Sequence, residues 1–227
     1  NFDRITTPSD SVLPRVRSDI KHYLQRGHST LRKLRANYMF SPAPDLYARL
    51  SAGYFEMMYG GFSSEILHRP FGARYAYGVD LSYVRKREFK QLWGFQDYSV
   101  LTGHLNAYYS LPMYGLQIST HAGQYLAGDR GVTQILARRF RSGVVSGVWA
   151  TATNIPPKIF GEGSFDKGFF IVIPMDLFAS RESLHHGIFA FRPLTKDGGQ
   201  MLDIERLHGL VSFNPEIMSR DWKHILD

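Results

Sequence analysis

The sequence predicts an all-β chain: an antiparallel up-and-down transmembrane β-barrel of about twelve strands, with a short amphipathic helix near its start. Three observations carry that expectation. First, no Asp, Glu, Lys or Arg occurs from Tyr98 to Gly128, yet polar residues recur there at every second position, so the run is no helical span. Second, the same period of two returns along most of the chain, broken by short turns and not by helices. Third, Tyr47, Tyr54, Phe55, Tyr75, Tyr83, Tyr108, Tyr109, Tyr114 and Tyr125 fall near strand ends, where barrels keep aromatic girdles. Tyr also favours strands of any kind, and a soluble sandwich edge remains the alternative.

Three segments are expected: residues 1–27 carry a helix, 28–213 the barrel, and 214–227 an amphipathic tail through Met218, Trp222 and Ile225. In SVLPRVRSDIKHYLQRG, Val16, Ile20, Tyr23 and Leu24 recur at helical spacing, Pro14 suits a first turn and Gly27 a stop. Arg15, Arg17, Lys21 and Arg26 give this helix a basic face, suited to a membrane surface, to plugging a lumen or to packing beneath a sheet. Strands follow. Leu34, Ala36, Tyr38 and Phe40 share one face, and SPAPD turns the chain. Leu46, Ala48, Leu50, Ala52 and Tyr54 then alternate with Tyr47, Arg49, Ser51 and Gly53. MMYGGFSS is expected to turn, Glu65–His68 to form a short strand, Arg74–Val84 a longer one, and KREFK a loop.

The charge-free run reads as a hairpin. Leu101, Leu105 and Tyr109 oppose Thr102, His104 and Asn106 in its first arm; Leu116 and Ile118 oppose Gln117 and His121 in its second. AGDRG supplies a tight turn. Further strands are expected near Val132–Phe140, Val144–Thr151, Gly168–Met175, Gly187–Arg192 and Leu207–Phe213, with GFFIVIP covered on both faces. Closing such a meander into a barrel removes its exposed edges.

Composition bounds the function. Lys plus Arg is 27 against 20 for Asp plus Glu, a net +7, which favours anionic partners such as acidic polysaccharide or lipid headgroups. The basic residues gather at turns and termini, not within strands where bases would stack, so nucleic acid is not expected as a partner. Cysteine is absent, which removes disulfides, thiolate metal sites and a Cys nucleophile. No signal-type apolar region follows Asn1, so the chain is expected to be either soluble or a processed or truncated barrel piece, and the missing initiator Met fits the second.

Catalytic chemistry is not indicated. His185 and His186 are adjacent and point to opposite faces of a strand, and no H-E-x-x-H, G-x-S-x-G or phosphate-binding loop occurs. Glu162 and Asp166 in a Gly-rich loop beside Lys167 suit turn and salt-bridge contacts better than a glycosidase pair framing a sugar. No catalytic residue, metal site or cofactor is expected.

Several motifs stand in one order: YARLSAGYFEMMYGG, GFQDYSVLTGH, QYLAGDRGVT, FGEGSFDKGFFIVIPMDL and FRPLTKDGGQML. Together they resemble the YjbH/GfcD family of outer-membrane exopolysaccharide and group 4 capsule biosynthesis proteins, from about Leu13 to beyond Gly209, matching the C-terminal part of longer members. The resemblance implies a non-enzymatic barrel in the outer membrane of a Gram-negative bacterium. Its partners would be polysaccharide, outer-membrane lipid or lipopolysaccharide, and proteins of the same secretion system. Glu162, Ser164, Asp166 and Lys167 lie in its most distinctive motif. On the barrel reading, Arg49, Asp80, His104, Asn106, Gln117 and His121 face a lumen that conducts or guides polymer. Leu46, Leu50, Tyr77, Leu81, Leu101, Leu105, Leu116 and Ile118 then face lipid. Two alternatives stand beside this conduit: a non-conducting barrel that anchors periplasmic partners, and a soluble glycan-active enzyme.

Overall fold

Alternating residues along the chain build one sheet in which each strand pairs only with its neighbours in sequence. A computed structural model describes residues 13–25, 30–140, 142–156, 165–175, 186–191 and 197–211. After helix α1 (Ile20–Gln25) come β1 (Leu34–Ala43), β2 (Leu46–Tyr54), β3 (Tyr59–His68), β4 (Tyr75–Arg87) and β5 (Phe95–Ser110). Then follow β6 (Leu116–Gln124), β7 (Arg130–Arg139), β8 (Val145–Thr153), β9 (Asp166–Pro174) and β10 (His186–Phe191). They form a 10-stranded sheet in the order β1 to β10, antiparallel throughout.

Turn chemistry holds the register. Tyr114 and Gly115 both sit at φ 60°, the left-handed pair that a tight hairpin needs between β5 and β6. Gly128, at φ 84°, closes the β6–β7 turn, where the Tyr125 amide donates to the Asp129 carbonyl at 2.8 Å.

Several expectations are corrected. Ten strands are described where about twelve were expected, and among the described residues β1 and β10 do not pair, so the sheet is open and not a closed barrel. MMYGGFSS is no simple turn, because β3 already begins at Tyr59. Nor is KREFK wholly a loop: β4 runs through Arg87, and Lys86 and Arg87 are buried. Their charge suggested solvent, but the Arg87 guanidinium donates to the carbonyls of Leu31, Arg32, Glu56, Gln91 and Leu92 and so knits two turns together. The first helix starts at Ile20 and not at Pro14. Residues 207–211 are helical instead of extended. β9 is half-buried along GFFIVIP and not covered on both faces. The tail 214–227 lies outside the described residues.

The two faces of the sheet are unlike. On one, Leu50, Phe62, Ile66, Val79, Leu81, Leu101, Leu105, Val132, Leu136 and Val148 are all exposed. On the other, Arg49, Ser63, Glu65, Ser82, Thr102, His104, Asn106, His121, Thr133, Thr151 and Asp166 are buried. Two stretches cover that polar face: residues 13–25 at the end holding the β2–β3 and β4–β5 turns, and a strap, residues 197–211. Val16, Tyr23, Phe55, Met58, Tyr59, Val84, Val100, Leu126 and Leu202 make an apolar cluster at that end; Leu67, Ala76, Tyr108 and Leu207 make a smaller one toward the other.

Candidate functional site

Antiparallel register places the polar residues in rows across the sheet. Arg49 pairs with Glu65, Glu65 with Asp80, and Asp80 with His104. The next row joins Asn106, His121, Thr133, Thr151 and Asp166. Because cross-strand partners share a face, a period of two in each strand is enough to gather these side chains.

They bond to one another. Arg49 Nη2 donates to Glu65 Oε2 at 2.7 Å, with both side chains 2% exposed. Asn106 Nδ2 donates to Asp80 Oδ1 at 2.8 Å; His104 Nδ1 lies 3.4 Å from Asp80 Oδ2, and His121 Nδ1 lies 2.6 Å from Asn106 Oδ1. Farther along, Thr133 and Thr151 hydroxyls lie 2.8 Å apart and Trp149 Nε1 donates to Asp166 Oδ2 at 3.1 Å.

The strap completes this network. Arg206 donates to Asp80 and, at 3.3 Å, to Asn106 Oδ1. The Leu207 amide donates to both Glu65 oxygens at 3.0 Å, and Arg49 donates to the Glu205 carbonyl. His208 stacks on Tyr108 at 3.7 Å between ring centroids. At the strap's start the Val16, Arg17 and Ser18 amides converge on Asp197 Oδ1 at 2.9, 2.8 and 2.9 Å, tying the N-terminal stretch to it. The Gly199 amide donates to Asp129 Oδ2 at 2.8 Å, and a Cβ at Gly199 would lie 2.8 Å from Thr151 Cγ2. One strap thus touches residues from β2 to β8, so the sheet wraps around it.

Burial tunes the groups that flank the sheet. It pushes the Glu56 carboxyl up, opposed by Arg17 at 2.7 Å. It likewise raises Asp129, opposed by the Gly199 amide. Burial first, and Arg69 second, pull the His208 imidazole down to about 4.

The sequence-derived residues divide accordingly. Arg49, Asp80, His104, Asn106 and His121 come together under the strap, while Gln117 stands apart, near the β5–β6 turn. Leu50, Tyr77, Leu81, Leu101 and Leu105 are exposed on the apolar face; Leu46, Leu116 and Ile118 are half-buried. Asp166 belongs to the polar row and Lys167 lies 4.6 Å over the Phe165 ring, whereas Glu162 and Ser164 lie outside the described residues. Glu65, Lys86, Arg87, Asp197 and Arg206 escaped the sequence reading. The available signal was the charge left over: four ionisable residues in one row demand partners from elsewhere. Among the described residues no group of three His, Cys, Asp or Glu side chains gathers to hold a metal, and no helix is long and apolar enough to cross a membrane.

Comparison with known proteins bears out the resemblance carried by the motifs. The family described as "Exopolysaccharide biosynthesis protein YbjH" matches residues 1–212. The protein described as "Uncharacterized lipoprotein YjbH" of Escherichia coli (strain K12) is 42% identical over 206 residues, 88% of this chain. The chain spans 29% of that relative's length. No solved structure matches. A match across nearly the whole chain and a relative this similar lead to one conclusion: the chain belongs to the YjbH family of exopolysaccharide biosynthesis proteins.

Proposed function

We propose that this chain is part of an outer-membrane β-barrel of a Gram-negative bacterium that serves exopolysaccharide secretion or assembly without catalysing a reaction, its interior closed by residues 13–25 and the strap. One observation carries this reading: the sheet buries its polar face and exposes its apolar one. A water-soluble sheet does the reverse, since each Leu, Val or Tyr left in water forgoes about 1.5 to 3 kcal/mol of burial. Hydrocarbon is the solvent that suits such a surface.

The outer positions of β4 support the same solvent. They read Tyr75, Tyr77, Val79, Leu81 and Tyr83, with aromatics at both ends and aliphatics between. Eight residue steps at about 3.3 Å span roughly 26 Å before tilt, close to the apolar band of outer-membrane barrels. The open edges at β1 and β10 are where closing strands would join, and the E. coli relative is long enough to contain them.

A plugged barrel fits better than an open conduit, because the residues that would meet sugar in a lumen are already bonded to each other and to residues 205–207. The conduit reading is favoured by one feature: polar contacts, of the kind water can replace, hold the middle of the strap.

The test is phase partition in detergent together with heat-modifiable gel mobility after refolding in outer-membrane lipid. The barrel reading expects the detergent phase and a mobility shift. A freely soluble monomer in the aqueous phase overturns it. Release of reducing ends from the polymer, lost in Glu162→Gln, overturns the non-enzymatic part.

A further inference from the structure

One groove in the apolar outer face ends at a charge. Across β7, β8 and β9 a depression of about 360 Å³ is walled by Leu136, Val148, Phe169 and Ile171, with Ser146 between them and Arg138 at the turn side. Among the described residues that line it, Arg138 is the only charged one. Resting on the membrane-barrel reading, we infer that this groove is a binding site for one lipid with an anionic phosphate headgroup, its acyl chain along the groove and its phosphate on Arg138.

Register fixes the side that Arg138 faces. It pairs with Leu116 and Ser146, two residues on from Leu136, which pairs with Ile118 and Val148. Alternation therefore sets it on the face of the exposed Leu136 and Val148, opposite the polar row. A guanidinium is costly in hydrocarbon, so on a lipid-facing surface its place is the headgroup level. The local structure agrees: β7 ends one residue later, at Arg139, beside the β5–β6 turn. Among the described residues no acidic side chain pairs with Arg138; its guanidinium lies 5.9 Å over the Tyr114 ring and 4.9 Å over the Phe140 ring. Rings hold a cation without neutralising it, so its charge stays available to a phosphate.

The rest of the groove suits a hydrocarbon chain. Arg138, Ser146 and Ile171 form one cross-strand row, and Leu136, Val148 and Phe169 form the next, farther from the turn. A small residue between two large ones leaves a furrow, which starts beside the cation and continues among apolar side chains. A chain seated there brings its headgroup to the arginine. The larger outer groove, about 570 Å³ across β1 to β5, has no charged residue in its lining and offers a headgroup no such partner.

Native mass spectrometry of the barrel of which this sheet is part, stripped of lipid in detergent, tests the site by titration with phosphatidylglycerol, phosphatidylcholine and inorganic phosphate. The parent should bind phosphatidylglycerol about tenfold tighter than phosphatidylcholine, the value of one charge-assisted hydrogen bond. Arg138→Gln should abolish that difference and leave phosphatidylcholine unchanged. Ser146→Leu, which fills the furrow, should weaken both lipids about tenfold. Arg85→Gln, which removes another exposed arginine, 5.5 Å over the Phe95 ring, should bind like the parent. Retained heat-modifiable mobility certifies each fold, and Ser146→Leu suffices should Arg138→Gln fail that check. Equal affinity of the parent for the two lipids overturns the inference, as does an equal loss in Arg85→Gln or unchanged binding in Ser146→Leu. Displacement of the lipid by inorganic phosphate also overturns it, in favour of a simple anion site. Detergent partition is read separately, so a membrane barrel without headgroup preference loses only this inference, and a freely soluble protein that keeps the preference loses only the membrane reading.

Discussion

Glu65 is the residue on which two separate contacts converge. One of its oxygens accepts from Arg49, and both accept from the Leu207 amide. Glu65→Ala therefore leaves a buried guanidinium without its counter-charge and a strap amide without its acceptor. Removing one partner of a buried ion pair costs about 3 to 5 kcal/mol, far above the cost of an exposed pair. Urea unfolding in lipid should register that loss, while Arg49→Met with Glu65→Leu should recover most of it, because neither charge is then left alone. A single-variant loss below about 1 kcal/mol would show that water reaches Arg49. Of the residues in this row, Arg49, Asp80 and His104 were legible as inward-facing from period two alone. Glu65 was placed in a strand but given no role, because its partners lie 16 and 142 residues away.

At the scale of elements, the β5–β6 hairpin was the most legible part of the chain, since its alternation needs no distant partner. Leu105 is 68% exposed on it and Asn106 4%. Substituting Arg at Leu105 separates the two solvents for the outer face. Near a bilayer midplane it costs about 2 to 4 kcal/mol, whereas at an exposed position in water the change stays within roughly 0.5 kcal/mol. Folding titrations in lipid vesicles should give the larger value. Asn106 is no silent control for this experiment, because it already bonds to Asp80, His121 and Arg206.

The strap was illegible for the opposite reason. In DGGQMLDIERLHGLV, residues 197–211, the polar partners lie across the whole chain: Asp197 accepts from the Val16 amide at a separation of 181 residues, and Arg206 donates to Asp80 at 126. Its docking carries a pH dependence. His208 is held at about 4, below its ordinary 6.5, by burial and by Arg69. Released, it takes up a proton below 6.5; docked, it stays neutral until about 4. Docking is therefore fully favoured above pH 6.5 and loses up to about 3 kcal/mol as pH falls toward 4. Glu56, whose carboxyl burial raises, acts with the opposite sign as pH falls, so the clean comparison is His208→Phe. That variant keeps the stack on Tyr108 and removes the titration. Hydrogen exchange of strap amides should accelerate between pH 7 and 4.5 in the parent, beyond the chemical rate, and not in His208→Phe.

For the whole molecule, period two showed which side chains share a face but not what covers the polar one. An empty lumen and a filled one carry the same alternation, because both present polar groups inward. Covering that face with the chain's own segments has a measurable consequence. With Asp197 anchoring the strap at one end and Arg206 in its middle, the closed barrel of which this sheet is part should insert into planar bilayers and stay non-conducting, its interior occupied. Asp197→Ala releases the Val16, Arg17 and Ser18 amides, and Arg206→Ala releases Asp80 and Asn106. Each lost charged contact is worth about 1.5 to 3 kcal/mol, so the double variant shifts the docked equilibrium by roughly two to four orders of magnitude. Brief openings in the double variant, absent from the parent, would mean that the strap is the closure of a conduit. If the variant stays closed while its strap amides exchange freely, the interior is filled by more than the strap. The non-conducting assembly barrel is then the form to pursue. Steady conductance in the parent itself would contradict the plug, in which Arg206 stays bonded to Asp80 and Asn106 across the polar row.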